Sequence, residues 1–267
     1  MPLGFDRFLR EVAPFFGLQW RPFQRRGVKR KVERRIAEIG LSNFEEYLLR
    51  IKEDPEEQKH LSKILTVTIS RFFRDKEVFD TINHSIIPNL LKAKDQGELK
   101  IWSIGCASGE EPYTLFLLWK EKFEGSWPPI RVSMLATDID ENMLERAREG
   151  KYKESSLKET AKETLKNFFR IQDGFYIIDR AVRESVEFRK HDILYDQPFL
   201  GMDMVFCRNL AFTYFSKESQ IDVLKKIASS LKEKGYLVIG KDESIPLTYP
   251  TLFVPVFPAE RIYQKFT

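Results

Sequence analysis

The sequence predicts an α/β fold: a mostly parallel sheet with helices on both faces, preceded by a small all-helical N-terminal domain. Three observations predict it. Up to about residue 75 the apolar residues recur at helical spacing and no strand pattern appears. From Phe79 onward short apolar runs alternate with helical stretches, the pattern of a parallel sheet whose crossovers are helices. The run LKIWSIG at 99–105 then enters a glycine-rich turn that opens a helix, as a βα unit requires.

Taken in order, Val28, Val32, Ile36 and Ile39 form the apolar stripe of a helix that Gly40 ends. Ser42 caps the next helix, with Glu45 completing a capping box. A third helix covers 55–65. A helix over 79–94 leads through a polar turn at 95–98 into a strand at 100–104. A helix at 111–123, a Trp-Pro-Pro loop, a strand at 132–137 and a short helix at 142–149 come next. Residues 157–169 read as a helix, and 175–178 with 186–188 as a small hairpin. Then come a strand at 203–207, an amphipathic helix at 217–232 stopped near Gly235, and a strand at 236–239. Two proline-broken β-rich segments, 253–256 and 261–266, close the chain. The expected domains are a helical one, 1–75, and a sheet domain, 76–267, with a small subdomain near 151–188.

Composition narrows the class. The 267 residues are 42% hydrophobic, enough for a real core. Forty-four basic residues face 40 acidic ones, so net charge argues little for nucleic acid. Two cysteines, Cys106 and Cys207, point to a reducing compartment, and with three histidines they offer no metal quartet. No run approaches the roughly 20 apolar residues that span a bilayer, and the N-terminus lacks a signal-peptide core. A soluble cytoplasmic protein without membrane insertion is expected.

The chemistry sits in two segments, LKIWSIGCASGEEPYT at 99–114 and ATDID at 136–140. A turn holding Gly105 and Gly109 lets a ligand approach the backbone, and Asp138 at the tip of the neighbouring strand can hold ribose hydroxyls. The turn carries Glu110 and Glu111 and no lysine, so it repels phosphate. It suits a ligand with an amino group and a positive centre, which fits S-adenosylmethionine better than NAD or ATP. The segment TVTISRFFRD at 66–75 places Thr66, Thr68, Ser70 and Arg74 around a Phe pair at the domain junction. The segment VFCRNLAFTYF puts Arg208, Asn209 and Tyr214 just past a strand. Between Arg21 and Arg35 there are eight Lys/Arg and one acid, Glu33. This basic helix is either a solvated face or a dock for an acidic partner.

Together these segments resemble the CheR family, chemotaxis receptor methyltransferases that use S-adenosylmethionine to methylate protein glutamates. The resemblance runs through RRIAEIGLSNFEEYL, FFRD, WSIGCASGEEPYT, ATDIDENMLERAREGKY, FRKHDIL, DMVFCRN and GYLVIGKDES, in that order. It implies a Rossmann-like methyltransferase sheet behind a helical domain. It implies that Arg74 meets the cofactor's amino acid end, that Glu111 (or its neighbour Glu110) takes the amino group, and that Asp138 binds the ribose. By the same resemblance Asp192 and Ile193, where the family often has Asn-Leu, are expected to flank the adenine. The resemblance likewise implies that Arg208 and Asn209 line the cofactor pocket and that Tyr214 stands near the transferred methyl.

The chain departs from the family pattern at the junction, where Thr68 replaces an Asn and Ser70 a Thr, and by one extra residue between Asn209 and Tyr214. Hydroxyls at Thr68 and Ser70 can still bond the cofactor. The implied acceptor is an acidic protein, a chemoreceptor helix, docked by the basic helix; a small molecule or another protein is the rival acceptor. A nucleic-acid amino-methyltransferase commonly carries an Asn/Asp-Pro-Pro-aromatic motif after its fourth strand, and CRNLAFTYF stands there instead.

Overall fold

A computed structural model describes residues 3–24, 26–65, 70–92, 97–125, 130–248 and 250–266. The chain divides into two compact units, Met1–Thr68 with Leu210–Ile221, and Ile69–Asn209 with Asp222–Thr267.

The first unit contains α1 (Phe5–Val12), α2 (Arg26–Glu38), α3 (Phe44–Glu53) and α4 (Pro55–Leu65). Phe8, Leu9, Val32, Tyr47, Ile51 and Leu61 are fully buried between them. The expected stripe of α2 is its buried face, through Val28, Val32 and Ile36. Gly40, at φ +74°, ends the segment: its N–H reaches Ala37 O and the N–H of Leu41 reaches Ile36 O. The cap of α3 lies one residue later than expected. Asn43, not Ser42, accepts from the N–H groups of Glu45 and Glu46, and Glu46 reaches back to the Ser42 N–H at 2.8 Å. Two overlapping pairs have capping-box spacing, and the later one takes the cap because the chain is fully extended at Asn43. Glu57 ties three helices together: it accepts from Arg35 Nε and Nη2 at 2.9 and 2.6 Å and from the Tyr47 hydroxyl at 2.7 Å. An antiparallel bridge from Leu18 to Phe215 links residues 210–221 to the helices.

The second unit opens with α5 (Lys76–Thr81), which continues through a π-helical stretch, Ile82–Ile86, into α6 (Ile87–Lys92). After it stand β1 (Gly97–Ile104), α7 (Glu110–Lys122), β2 (Ile130–Asp138), α8 (Glu141–Glu149) and β3 (Lys151–Tyr152). Next come α9 (Lys162–Phe168), β4 (Phe169–Gln172), β5 (Phe175–Ile178), α10 (Arg180–Arg183), β6 (Val186–Lys190) and β7 (Met202–Cys207). After α11 (Ala211–Tyr214), which belongs to the first unit, the chain returns through α12 (Lys217–Ser230) to β8 (Leu231–Ile239), β9 (Phe253–Phe257) and β10 (Ile262–Lys265).

Among the described residues seven strands form one sheet in the order β6-β2-β1-β7-β8-β10-β9. The first five run parallel, and β10 runs antiparallel to β8 and β9. The winding goes outward from β1 to β6 on one side and from β7 to β8 on the other. The β1/β7 boundary is therefore the switch point, where open parallel sheets bind ligands beyond the strand carboxyl ends.

The expected hairpin does not exist. β5 pairs with β3 and β4 in a separate three-stranded sheet, while β6 lies parallel to β2 as an edge of the main sheet. The short helix α10, capped by Asp179, turns the chain back between them. The helix expected over 157–169 is confined to α9, because Phe169 already has strand dihedrals and pairs with Ile178. There the cross-strand pairing of β4 overrides helical spacing. The expected Trp-Pro-Pro loop lies outside the described residues.

Candidate active site

Four loops leave the carboxyl ends of β1, β2, β6 and β7, and they carry most of the candidate residues. The β1 turn runs from Gly105 to Gly109, with φ +71° and +88° at the two glycines and +50° at Ala107. Four of its five amides are committed inward. The N–H groups of Gly105 and Cys106 both donate to Thr137 O, Ala107 N–H donates to Asp138 Oδ2, and Gly109 N–H donates to Cys106 O. A phosphate cradle needs such amides free, so the turn is built for a different ligand.

Asp138 closes β2 and is 8% exposed. Oδ1 accepts from the Asp140 N–H and Oδ2 from the Ala107 N–H, both at 2.9 Å. An ionised carboxylate offers about four acceptor positions, so a diol can still donate to it. Burial pushes the Asp138 carboxyl up, against the pull of those backbone bonds. Its neighbour Asp140 caps α8, accepting from the Asn142 N–H.

The two glutamates at the start of α7 have different surroundings. Glu110 is buried and bonded by the hydroxyls of Ser108 and Ser70; burial pushes its carboxyl up. Glu111 accepts from Ser103 Oγ at 2.8 Å and from Arg208 Nη1 at 3.1 Å. Arg208 enters from the end of β7. Its Nη2 also holds Asp75 Oδ2 at 2.6 Å and the Arg74 carbonyl at 2.9 Å, and its guanidinium lies over the Phe79 ring. Its Nε is buried and lacks a partner among the described residues.

The loop that carries Arg74 is fixed at several points. Phe72 N–H donates to Ser156 O, and the fully buried Phe72 ring packs edge-on against Tyr152 and Phe169. Phe73 N–H donates to Thr114 Oγ1. Phe73 and Asp75 both sit in the left-handed region, at φ +55° and +61°, and so does Asn209 at +55°. Such backbone persists only where the surroundings over-determine it, and here Arg208 bonds across the loop.

Beyond β6, Asp192 and Ile193 begin a compact turn. Asp192 Oδ1 accepts from the Leu194 N–H, and the Asp192 carbonyl accepts from Tyr195 and Asp196. From α12, Lys226 Nζ donates to the carbonyls of Ile193, Leu194 and Asp196 at 2.9, 2.7 and 2.8 Å. His191 N–H donates to Asp138 O, so this loop and the Asp138 carboxylate share one frame.

The structure thus brings Ser70, Arg74, Gly105, Glu111, Asp138, Asp192, Ile193, Arg208 and Asn209 into the second unit, on these loops. Thr68 lies outside the described residues. Tyr214 belongs to the first unit, where its ring stacks on Phe23 with centroids 5.4 Å apart. Sequence reasoning missed Asp75, Ser103 and Lys226. Asp75 stood inside a motif already singled out; Lys226 had no signal beyond being a basic residue on an amphipathic helix.

The donors and acceptors present fit S-adenosylmethionine: a diol acceptor at Asp138, a carboxylate at Glu111, and a turn with four of its five amides bonded inward, away from a phosphate. Residues 68–259 match the family model described as CheR methyltransferase, SAM binding domain. Residues 4–66 match the one described as CheR methyltransferase, all-alpha domain. Fold and site define an S-adenosylmethionine-dependent methyltransferase.

A chemotaxis protein methyltransferase of Listeria monocytogenes is 31% identical over 89% of this chain and 88% of its own length. One of Borreliella burgdorferi is 30% identical over 90% and 87%. A 104.1 kDa protein of Rhodobacter capsulatus is 32% identical, and there the match spans 82% of this chain but only 23% of the larger protein. The chain belongs to the CheR methyltransferase family.

Proposed function

We propose that this chain methylates glutamate side-chain carboxylates of a chemoreceptor-type protein. The observation that carries the proposal is the Arg208 bridge, which holds the Arg74 loop against Glu111 at the open end of the sheet. A glutamate carboxylate has a pKa near 4.3 and is already ionised at neutral pH, so the acceptor needs positioning rather than deprotonation. An arginine on a braced loop supplies that kind of positioning.

When bound, S-adenosylmethionine supplies an electrophilic methyl on a sulfonium. Asp138 holds the sugar, Glu111 meets the ammonium, and Ile193 with Asp192 borders the base. Arg74 aligns charge around the reacting carboxylate. The braced loops exclude water from that carboxylate, which strengthens each electrostatic contact.

Partner docking falls to α2. Arg26, Lys29, Arg30, Lys31 and Arg34 are exposed, while Arg35 turns inward to Glu57. A cationic face of this kind steers an acidic helical partner. The related chemotaxis methyltransferases support this choice of partner. The extra residue before Tyr214 favours, as a second reading, a carboxylic acid on a small molecule.

Transfer of labelled methyl to receptor cytoplasmic fragments tests the proposal. Base-labile label on the fragment is the expected result. Label on carboxylic-acid metabolites alone would replace the receptor reading with the second one.

A further inference from the structure

We infer that Glu243 is a positioning residue of the cofactor site, acting through the turn that carries Arg208 and Asn209. Glu243 lies in the loop after β8 and is 3% exposed. Its Oε2 accepts two backbone N–H groups, from Asn209 at 2.7 Å and from Gly240 at 2.6 Å. Cys207 and Ile239 face each other as the last paired residues of β7 and β8. One carboxylate oxygen therefore spans the two strand ends just where the ladder stops.

The effect reaches the site through the two residues after Cys207. Arg208 must leave the strand aimed at Glu111, Asp75 and the Arg74 carbonyl, and Asn209 must adopt a left-handed φ of +55° to allow it. A bond to the Asn209 N–H fixes that peptide. The space is closed as well: a Cβ on Gly240 would lie 2.5 Å from Asn209 Nδ2 and 2.7 Å from Glu243 Oε2. Gly240 is needed for close approach. A carboxylate buried this deeply is retained only with strong donors, and two charge-assisted bonds to backbone amides meet that need.

A strand-end cap with no functional reach is the competing explanation, and Asp203 provides its control. Asp203 is equally buried, at 4% exposure, at the opposite end of β7. It holds the Lys100 N–H at 2.8 Å and Lys232 Nζ at 3.0 Å. The inference rests on the family's cofactor and is independent of the methyl acceptor, so binding alone tests it.

The test is calorimetric titration of S-adenosylhomocysteine into the full chain and its variants, with thermal unfolding measured in parallel. Glu243→Ala is expected to raise Kd roughly tenfold or more, the scale of a lost hydrogen bond to a charged group. Glu243→Gln keeps an oxygen that accepts both N–H groups and is expected to stay within about threefold of the parent. Asp203→Ala is expected to lower the melting temperature and leave Kd unchanged. Should Glu243→Ala fail to fold, Glu243→Asp, one methylene short of the two amides, carries the same expectation of weakened binding. A folded Glu243→Ala or Glu243→Asp protein with parental Kd overturns the inference. So does an Asp203→Ala protein that loses as much affinity as the Glu243 variant.

Discussion

Arg208 and Glu111 meet at 3.1 Å, although 97 residues separate them in the chain. The Arg208 side chain is 4% exposed and that of Glu111 is 14% exposed, so solvent screens their pairing poorly. The same guanidinium reaches Asp75 and the Arg74 carbonyl, which makes Arg208 the joint between the start of α7, the Arg74 loop and the end of β7.

Arg208→Met is expected to strand two carboxylates, Glu111 and Asp75. Removing one partner of a buried pair costs about 3–5 kcal/mol, and partial solvent access at Asp75 places this case at the lower end. Arg208→Lys keeps the charge but loses the planar fork that reaches Glu111 through one nitrogen and Asp75 with the Arg74 carbonyl through another. Urea unfolding and cofactor titration should both report the loss, with lysine recovering stability better than affinity. Parental affinity in Arg208→Met would remove the joint from the binding mechanism.

Much of the geometry around the candidate site was legible in the sequence, for reasons of locality. Asp138 announced itself as an acid at the tip of a strand, and Gly105 and Gly109 as the turn before a helix. The Pro55 start of α4 and the Gly40 stop after α2 are likewise written within a few residues. What stayed hidden depends on long-range pairing. Nothing near Arg208 names Asp75, 133 residues away. β4 reads as the end of a helix until β5 is placed beside it. Lys226 is one lysine among many until three carbonyls close around it.

Cofactor affinity is expected to fall with pH from a higher starting point than an ordinary aspartate gives. Burial raises the Asp138 pKa above its usual value, about 3.9 in an exposed chain. In the proposed role the ionised carboxylate accepts from sugar hydroxyls, and protonation removes part of that acceptor capacity. Affinity is therefore full above the raised pKa and lost as pH falls through it. Asp138→Asn should flatten this profile and weaken binding roughly tenfold, since a charge-assisted bond becomes a neutral one. Calorimetry across a pH series measures both; an unchanged profile in Asp138→Asn would assign the titration elsewhere.

Charge reversal on α2 separates docking from stability. Arg26→Glu, Arg30→Glu and Arg34→Glu together are expected to slow association with an acidic receptor fragment, on the order of tenfold at low salt, and to flatten its salt dependence. These three side chains are exposed, so unfolding should change little. Arg35 is excluded because it holds Glu57 inside the helical unit, and Arg35→Glu would unfold rather than undock. Stopped-flow association at two ionic strengths makes the measurement. Equal rates for parent and triple variant would reduce α2 to a solvated face.

Lys226 offers the sharpest test of how the Asp192 loop, proposed to border the base, is held. Its ammonium organises the carbonyls of Ile193, Leu194 and Asp196, and no other side chain type presents three donors from one point. Lys226→Met keeps the stem and removes the donors. The loop then loses its organising charge, and cofactor affinity is expected to fall roughly tenfold. A second effect has a definite sign. Burial raises the Asp192 pKa, and the Lys226 charge partly offsets that rise. Without Lys226 the Asp192 pKa climbs further, so the affinity gap between parent and variant should widen as pH falls. Faster amide exchange at Leu194 and Tyr195, whose N–H groups bond to Asp192, should accompany the loss. Faster exchange with unaltered affinity would mean that the loop is ordered by Lys226 but is not used to hold the base.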